Sequence, residues 1–235
     1  MQRRLGIVTG LMGEALTARS AAARKGIDKT YAIVRCGGPG LEAAGRAAES
    51  AIADGADILV SFGLAGALKP GLDPGALILP RRVISAEGPP LKTDADSADA
   101  IAFAVASAVR VWREDLVSVG IVIGGLAEKA ALGEASNAVS VDMESYGVAR
   151  AAAKAGKPFL VLRAIADPAD RIIPPAAQQG MGKDGRVKPL TVLAALARDP
   201  QSIGPVLRLG QDTRVAMRAL GRAARLAFPV LLVGR

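Results

Sequence analysis

Val141-Asp142-Met143-Glu144-Ser145 and, a short way on, Lys157-Pro158-Phe159-Leu160-Val161-Leu162-Arg163-Ala164-Ile165-Ala166-Asp167 are the stretches whose reading decides the fold. The second is an apolar run of strand length broken only by Arg163, and Asp167 stands where that strand should end, with Pro168 directly after it. Between them lies Asp-Met-Glu-Ser-Tyr-Gly-Val-Ala-Arg-Ala-Ala-Ala-Lys, rich in helix formers and closed by Gly156, which predicts Asp142 and Glu144 in the opening turn of a helix. Acids are ordinary in a first turn, where they complement the positive end of the macrodipole. An acid at the end of the following strand is less ordinary, because ligands bind at the carboxyl ends of strands in open α/β sheets.

Outward from this pair the chain alternates. Residues 5–9 read as a first strand, 11–24 as a helix, 30–36 as a second strand, and 41–54 as an Ala-rich helix capped by Gly55. Residues 57–62 form a short buried strand, 75–84 and 116–123 supply more strand, and 98–110 reads as a helix between them. That order predicts an α/β fold, a three-layer α/β/α sandwich with a mixed, largely parallel central sheet. After Asp170 the pattern turns helical, with a Pro/Gly-rich loop to Lys188 and helices over 190–198 and 202–228. One domain spanning residues 1–235 is the economical reading, since 51% apolar content supplies one sizeable core and no linker or charge run divides the chain.

Composition removes several classes of chemistry. A chain with one cysteine, Cys36, and no histidine has no internal disulfide, little with which to build a transition-metal site, and no histidine-based triad. No metal is expected, and the lone thiol fits a reducing, cytoplasmic compartment. A net charge of +8 suits an anionic partner, yet only 3% of residues are aromatic and no zinc-finger or RNP-like motif is present, which argues against nucleic acid. Met1-Gln2-Arg3-Arg4 imitates a signal peptide, but Glu14 interrupts the apolar stretch that follows. No apolar run reaches the ~20 residues that span a bilayer, so a soluble or peripheral protein is expected. Gly6, Gly10 and Gly13 do not form a dinucleotide fingerprint, and Arg35-Cys36 stand where its acid belongs, so no nicotinamide cofactor is expected. Gly37-Gly38-Pro39-Gly40 opens a helix and reads either as an anion-binding turn or simply as the turn that a strand-to-helix link needs.

Three blocks together carry a resemblance: Asp142-Met143-Glu144, the run from Arg163 to Asp170, and Gly63-Leu64-Ala65-Gly66 after an earlier strand. In order and spacing, from about residue 4 to about residue 170, they resemble the nucleoside phosphorylase and methylthioadenosine/adenosylhomocysteine nucleosidase superfamily. Beyond Asp170 the sequence is more similar to the hopanoid-associated phosphorylase branch, through Ile173-Pro174-Pro175-Ala176-Ala177 and Pro189-Leu190-Thr191-Val192-Leu193. The resemblance implies cleavage of the N-glycosidic bond of a purine nucleoside, a small-molecule substrate, no resident cofactor and a homo-oligomer.

It also implies roles for residues. Asp167 would be the general acid toward purine N7, with a carboxyl raised by its apolar surround. Glu144 would accept hydrogen bonds from the ribose hydroxyls, Met143 would pack on the sugar face, and Val141, Asp142 and Ala166 would complete that side of the substrate site. Ala166 stands where relatives usually have a hydroxyl residue. Leu64, Ala65 and Gly66 would line sugar and base, while Glu14 would hold an attacking water or else be a solvated helix acid. Many phosphate-using members have a hydroxyl residue at the position of Leu64. Gly10, Arg19 and Arg24 are the remaining phosphate candidates, so phosphate as co-substrate and water as nucleophile both stay open.

Two features bear on the rest of the substrate. Ile123, Leu126 and Ala127 suggest an aliphatic wall where relatives have a base-stacking aromatic, which suits an apolar 5′ substituent. In the last helix Arg214, Arg218, Arg222 and Arg225 fall on one side, with Ala216, Met217, Leu220 and Ala224 on the other. That stripe is a solvated face or a contact for anionic lipid at the inner membrane face. Adenosylhopane is the favoured substrate, and small adenosine thioethers are the alternative. A nucleoside sensor without turnover and a membrane-surface adaptor are the readings outside enzymology.

Overall fold

A computed structural model describes residues 2–106, 109–180, 182, 184–186 and 188–233. The elements run in chain order β1 (Leu5–Thr9), α1 (Met12–Ala23), β2 (Ala32–Cys36), α2 (Leu41–Ala53), β3 (Ile58–Ala67), β4 (Leu77–Ile78), β5 (Arg82–Ser85), β6 (Gly88–Lys92), α3 (Ala95–Val105) and β7 (Val111–Trp112). There follow β8 (Leu116–Ser118), α4 (Leu126–Ser136), β9 (Ser140–Asp142), α5 (Ser145–Lys154), β10 (Phe159–Asp167), α6 (Pro175–Gln179), α7 (Pro189–Arg198), a 3-10 turn at Pro200–Ser202 and α8 (Ile203–Leu232).

The described strands form one mixed, largely parallel sheet, with β1, β3 and β10 at its centre. These three are rich in Val, Ile, Leu and Ala and almost wholly buried, as a sheet covered on two sides requires. On one face α1, α3 and α8 pack Ala18, Ile101, Leu220 and Phe228 against Leu5, Val60 and Leu162. On the other face α2 and α5 pack Ala44, Ala48, Val148 and Ala152 against Val8, Leu59 and Val161. The three layers expected from the alternating pattern are therefore present, and the Ala-rich helices explain how they lie close to the sheet.

Boundaries differ from the sequence reading where short-range signals compete. The predicted strand over 75–84 is two strands, β4 and β5, interrupted at Pro80, and the strand over 116–123 ends at Ser118. Helix α4 and strands β6, β7 and β9 were not foreseen. The helix over 98–110 begins earlier, at Ala95, because Asp94 caps it by accepting from the Ser97 backbone N–H. Its predicted end includes residues 107 and 108, and the predicted loop to Lys188 includes 181, 183 and 187, all outside the described residues. Helix α8 runs through Pro229 to Leu232 rather than stopping at Phe228. No helix of the described residues is long and apolar enough to cross a membrane.

One topological feature positions everything that follows. β3 is ten residues long; its first half pairs with β1 as far as Ser61, and its end pairs instead with β9, Gly66 opposite Val141. Residues 62–65 of β3 thus line a split in the sheet, with β10 continuing alongside on the other edge. Such a divergence leaves a crevice at the carboxyl ends of the strands.

Candidate active site

Into this split project Glu14 from the first turn of α1, Glu144 from the start of α5, Asp142 from the end of β9 and Arg163 from the middle of β10. Arg163 is wholly buried. Its Nη2 lies 2.9 Å from Asp142 Oδ2 and 3.2 Å from Glu144 Oε2 and donates to Ser61 Oγ at 2.8 Å, while Nη1 donates to the Leu64 carbonyl at 3.1 Å. Burial alone would pull this guanidinium down, but Asp142, Glu144 and Glu14 more than offset it and hold it above its ordinary value.

Glu14 is buried and spends its carboxylate on backbone donors. Oε2 accepts from the N–H groups of Gly10 at 3.1 Å and Leu11 at 2.8 Å, and Oε1 accepts from Leu64 at 2.8 Å. Burial pushes its carboxyl up, against the lowering pull of Arg163 and those three amides. Glu144 is also pushed up, to about 8, by burial first, with Arg163 opposing and Asp142 and Glu14 adding repulsion. Three carboxylates around one guanidinium exceed what a single positive charge neutralises, so the cluster holds a proton at neutral pH. The crowding also explains two glycines. A Cβ on Gly10 would lie 2.6 Å from Glu144 Oε1, and one on Gly63 would lie 2.5 Å from Glu14 Oε1 and collide with Arg163.

Asp142 and Glu144 do not share a helical turn as the sequence reading expected. Asp142 ends β9 and Glu144 occupies the cap position, with α5 starting at Ser145. The physical reason is that the Asp142 carboxylate accepts from the backbone N–H and hydroxyl of Ser145 and from Ser118 Oγ, which holds the chain extended before the helix. Both of its oxygens are thereby committed to protein groups and to Arg163.

Asp167 forms a second centre. It ends β10 beyond a bulge that leaves Ala166 unpaired between Ile165 and Asp167, and the bulge re-aims the acid. Its Oδ2 lies 2.7 Å from Lys129 Nζ, and a Cβ on Gly66 would sit 3.4 Å from the same oxygen. Burial raises the Asp167 carboxyl above its usual range although Lys129 pulls the other way.

The remaining residues from the sequence reading fall on both sides of the line. Gly10, Leu64, Ala65, Gly66, Val141 and Ala166 all border the two centres, and Met143 is half-buried beside them. Arg19 and Arg24 do not join: both are exposed on α1, and Arg24 lies about 15 Å along the helix axis from Glu14 at 1.5 Å per residue. The expected aliphatic wall is incomplete, since Ile123 is half-buried but Leu126 and Ala127 are exposed in the first turn of α4. Sequence reasoning assigned no role to Arg163 or Lys129. Arg163 had a visible signal, a charge inside an otherwise apolar strand; Lys129 had none, being one lysine in an Ala-rich helix.

Gly185, in the loop after Asp170, lies beside Gly10 at the edge of the cluster. The Met12 N–H donates to the Gly185 carbonyl at 2.9 Å, which seats that loop against Gly10 and Cys36, and Ile173 donates to the Gly124 carbonyl at 3.0 Å. Two surface cavities lie elsewhere, one of about 380 Å³ between Trp112 and α8, the other of about 650 Å³ around Arg81, Lys92 and Asn137.

Comparison with known proteins bears on the fold. The family described as the phosphorylase superfamily matches residues 18–196. Among solved structures, the 5′-methylthioadenosine/S-adenosylhomocysteine nucleosidase of Neisseria meningitidis in complex with methylthio-immucillin-A superposes with a TM-score of 0.70 at 16% identity, covering 98% of this chain and 100% of its own. A mutant nucleosidase of the same kind from Helicobacter pylori, with 5′-methylthioadenosine in the active site, gives 0.68 at 16% identity over 95% of this chain and 98% of its own. Futalosine hydrolase of Helicobacter pylori gives 0.68 at 16% identity over 95% and 97%. No curated protein matches in sequence.

Proposed function

The chain belongs to the phosphorylase superfamily, and from that premise we propose that it cleaves the N-glycosidic bond of a purine nucleoside by hydrolysis, with adenosylhopane as the favoured substrate and adenine as the departing base. The observation that carries the hydrolytic reading is the position of Glu14. Its carboxylate already occupies the nest of amide donors from Gly10, Leu11 and Leu64 that an anion would otherwise use. A phosphate there would meet a carboxylate instead of free N–H groups, whereas a water molecule would find an acceptor for its proton.

Each acid then has a task suited to its surroundings. Glu144 grips the ribose hydroxyls, and its hold strengthens as positive charge grows on the ring and its shared proton becomes easier to lose. Glu14 takes the proton of the attacking water at the sugar carbon. Asp167, raised by burial, protonates N7 as electrons flow into the purine. Arg163 and Asp142 position the two glutamates and touch no substrate in this scheme.

An apolar extension of the substrate is supported by the surface around α7 and the start of α8. Leu190, Leu193, Ile203 and Leu207 are exposed there, and the basic Arg198, Arg208, Arg214 and Arg218 flank them on the exposed surface. That pairing of apolar and cationic side chains suits contact with an anionic membrane from which a lipid-linked nucleoside is drawn.

The experiment is direct: purified protein is incubated with adenosine, methylthioadenosine and adenosylhopane, each with and without phosphate, and adenine is measured. Adenine release without phosphate, fastest with adenosylhopane in anionic vesicles, is the expected result. Strict dependence on phosphate overturns the hydrolytic step, preference for methylthioadenosine overturns the substrate, and no release from any of the three overturns the reading.

A further inference from the structure

Lys129 is 1% exposed, as buried as any charged group among the described residues apart from Arg163. It stands on α4, and its Nζ is 2.7 Å from Asp167 Oδ2 while donating to the carbonyls of Pro168 at 2.8 Å and Arg171 at 2.6 Å. Of its three protons two are placed on carbonyls, and its charge lies in ion-pair contact with the acid. A lysine is costly to bury unless it is so paired. Neither the helix nor the core needs a lysine here, for a methionine fills similar volume; what the ammonium serves is the carboxylate and the loop that follows it.

The pair has two arrangements that share the hydrogen bonds to both carbonyls. With the proton on nitrogen it is an ammonium and a carboxylate. With the proton on oxygen it is a neutral amine and a carboxylic acid; the amine still donates to both carbonyls, and its lone pair accepts from the acid. Both carbonyl hydrogen bonds survive the exchange, and burial strips the two charges of the hydration that favours the ionised form in water. The other charged groups facing Asp167 are Arg171, in the loop after β10, and Asp212, on α8, and these two pair with each other. The balance at Asp167 is therefore left to Lys129.

We propose that Lys129 is the proton reserve and positioning residue of Asp167. This deepens the function proposed above and rests on it. As the bond from the sugar carbon to purine N9 breaks, its electron pair passes into the purine ring. A proton leaves Lys129 Nζ for the Asp167 carboxylate, and the carboxyl proton forms the N7–H bond. Lys129 ends as a neutral amine and Asp167 as a carboxylate; the proton that Glu14 took from water returns to the amine through solvent once the products have left.

The test uses the whole protein and two leaving groups. One substrate is the purine nucleoside that the wild type turns over fastest; the other is a nitrophenyl riboside, whose phenolate departs without protonation. For the purine, Lys129→Met is expected to lower kcat by about 100-fold, the lower end for general acid catalysis, with KM little changed. The nitrophenyl substrate should be cleaved nearly as fast as by the wild type. Lys129→Arg keeps the charge but gives up no proton, so it should fold and melt like the wild type and still be slow on the purine alone. It carries the test if the methionine variant fails to fold. Wild-type purine turnover by Lys129→Arg, or equal losses on both substrates, overturns the proposal while leaving the nucleosidase intact. A wild-type protein inert on every nucleoside overturns the function proposed above, and this inference with it.

Discussion

Two buried charge centres sit four residues apart on β10 and are built on opposite principles. Around Arg163 there are three carboxylates for one cation; around Lys129 there is one carboxylate for one cation. The first centre is short of positive charge and so suits a partner that becomes positive, which a sugar losing its base does. The second is balanced, so a proton can pass between Lys129 and Asp167 without changing the net charge of the pair. A strand residue advances about 3.3 Å, so Arg163 and Asp167 lie about 13 Å apart along the backbone.

Removing the cation of each centre tests this contrast most severely. Arg163→Met leaves three buried acids without their counter-charge, and it should destabilise the fold by about 3–5 kcal/mol or more in urea titration. Stability within ~1 kcal/mol of the wild type would show that the acids are neutral without Arg163 and that the surplus is unreal. Next in size is Asp167→Asn, which keeps the shape but has no proton to give. Adenine release should fall roughly 10²- to 10⁴-fold while nucleoside binding, measured by calorimetry, persists. Unchanged turnover removes Asp167 from the chemistry.

A smaller effect separates the centres by pH. Glu144, held at about 8 against an ordinary 4.5, stays protonated in the folded chain and is ionised in the unfolded chain between those values. The folded state binds more protons in that window, so stability is greatest below it and falls as pH rises toward 8, then levels off. The raised carboxyl of Glu14 acts with the same sign. Melting curves across the window should show that decline, and Glu144→Gln should flatten it; an equal slope in both proteins contradicts the shared proton. Smallest of all is the surface change Arg218→Glu, expected to alter stability by no more than about 0.5 kcal/mol. Its cost should appear only in vesicle binding, which weakens with it and with added salt. Vesicle binding that ignores both charge and salt would detach the membrane from the substrate reading.

Much of the fold was legible beforehand because the central strands are buried on both faces and the helices on one, and burial of that kind writes itself into composition and period. β1, α1, β2, α2 and β10 lie close to where the apolar runs put them, whereas β3 starts where expected but runs on past Phe62 to Ala67. Strands β4 to β9 are two to five residues long, too short for any period to show, and they were misjudged or missed. Around the site, Glu14, Glu144 and Asp167 were legible through motifs and strand ends. Arg19 and Arg24 were misleading, because a basic residue near a motif in sequence points wherever its helix face points. Lys129 was silent, since only α4 folding back over Pro168 and Arg171 brings it to Asp167.

The order of apolar runs and turn residues along this chain was enough to determine a layered α/β sheet and to mark which acids stand at its strand ends, since both follow from local period and capping. Which charges meet was decided only when β3 parted from β1 and joined β9. That divergence opens the gap where Glu14 of α1 meets Glu144 and Arg163 from the far half of the chain, and contacts between distant segments leave no period for a sequence to display.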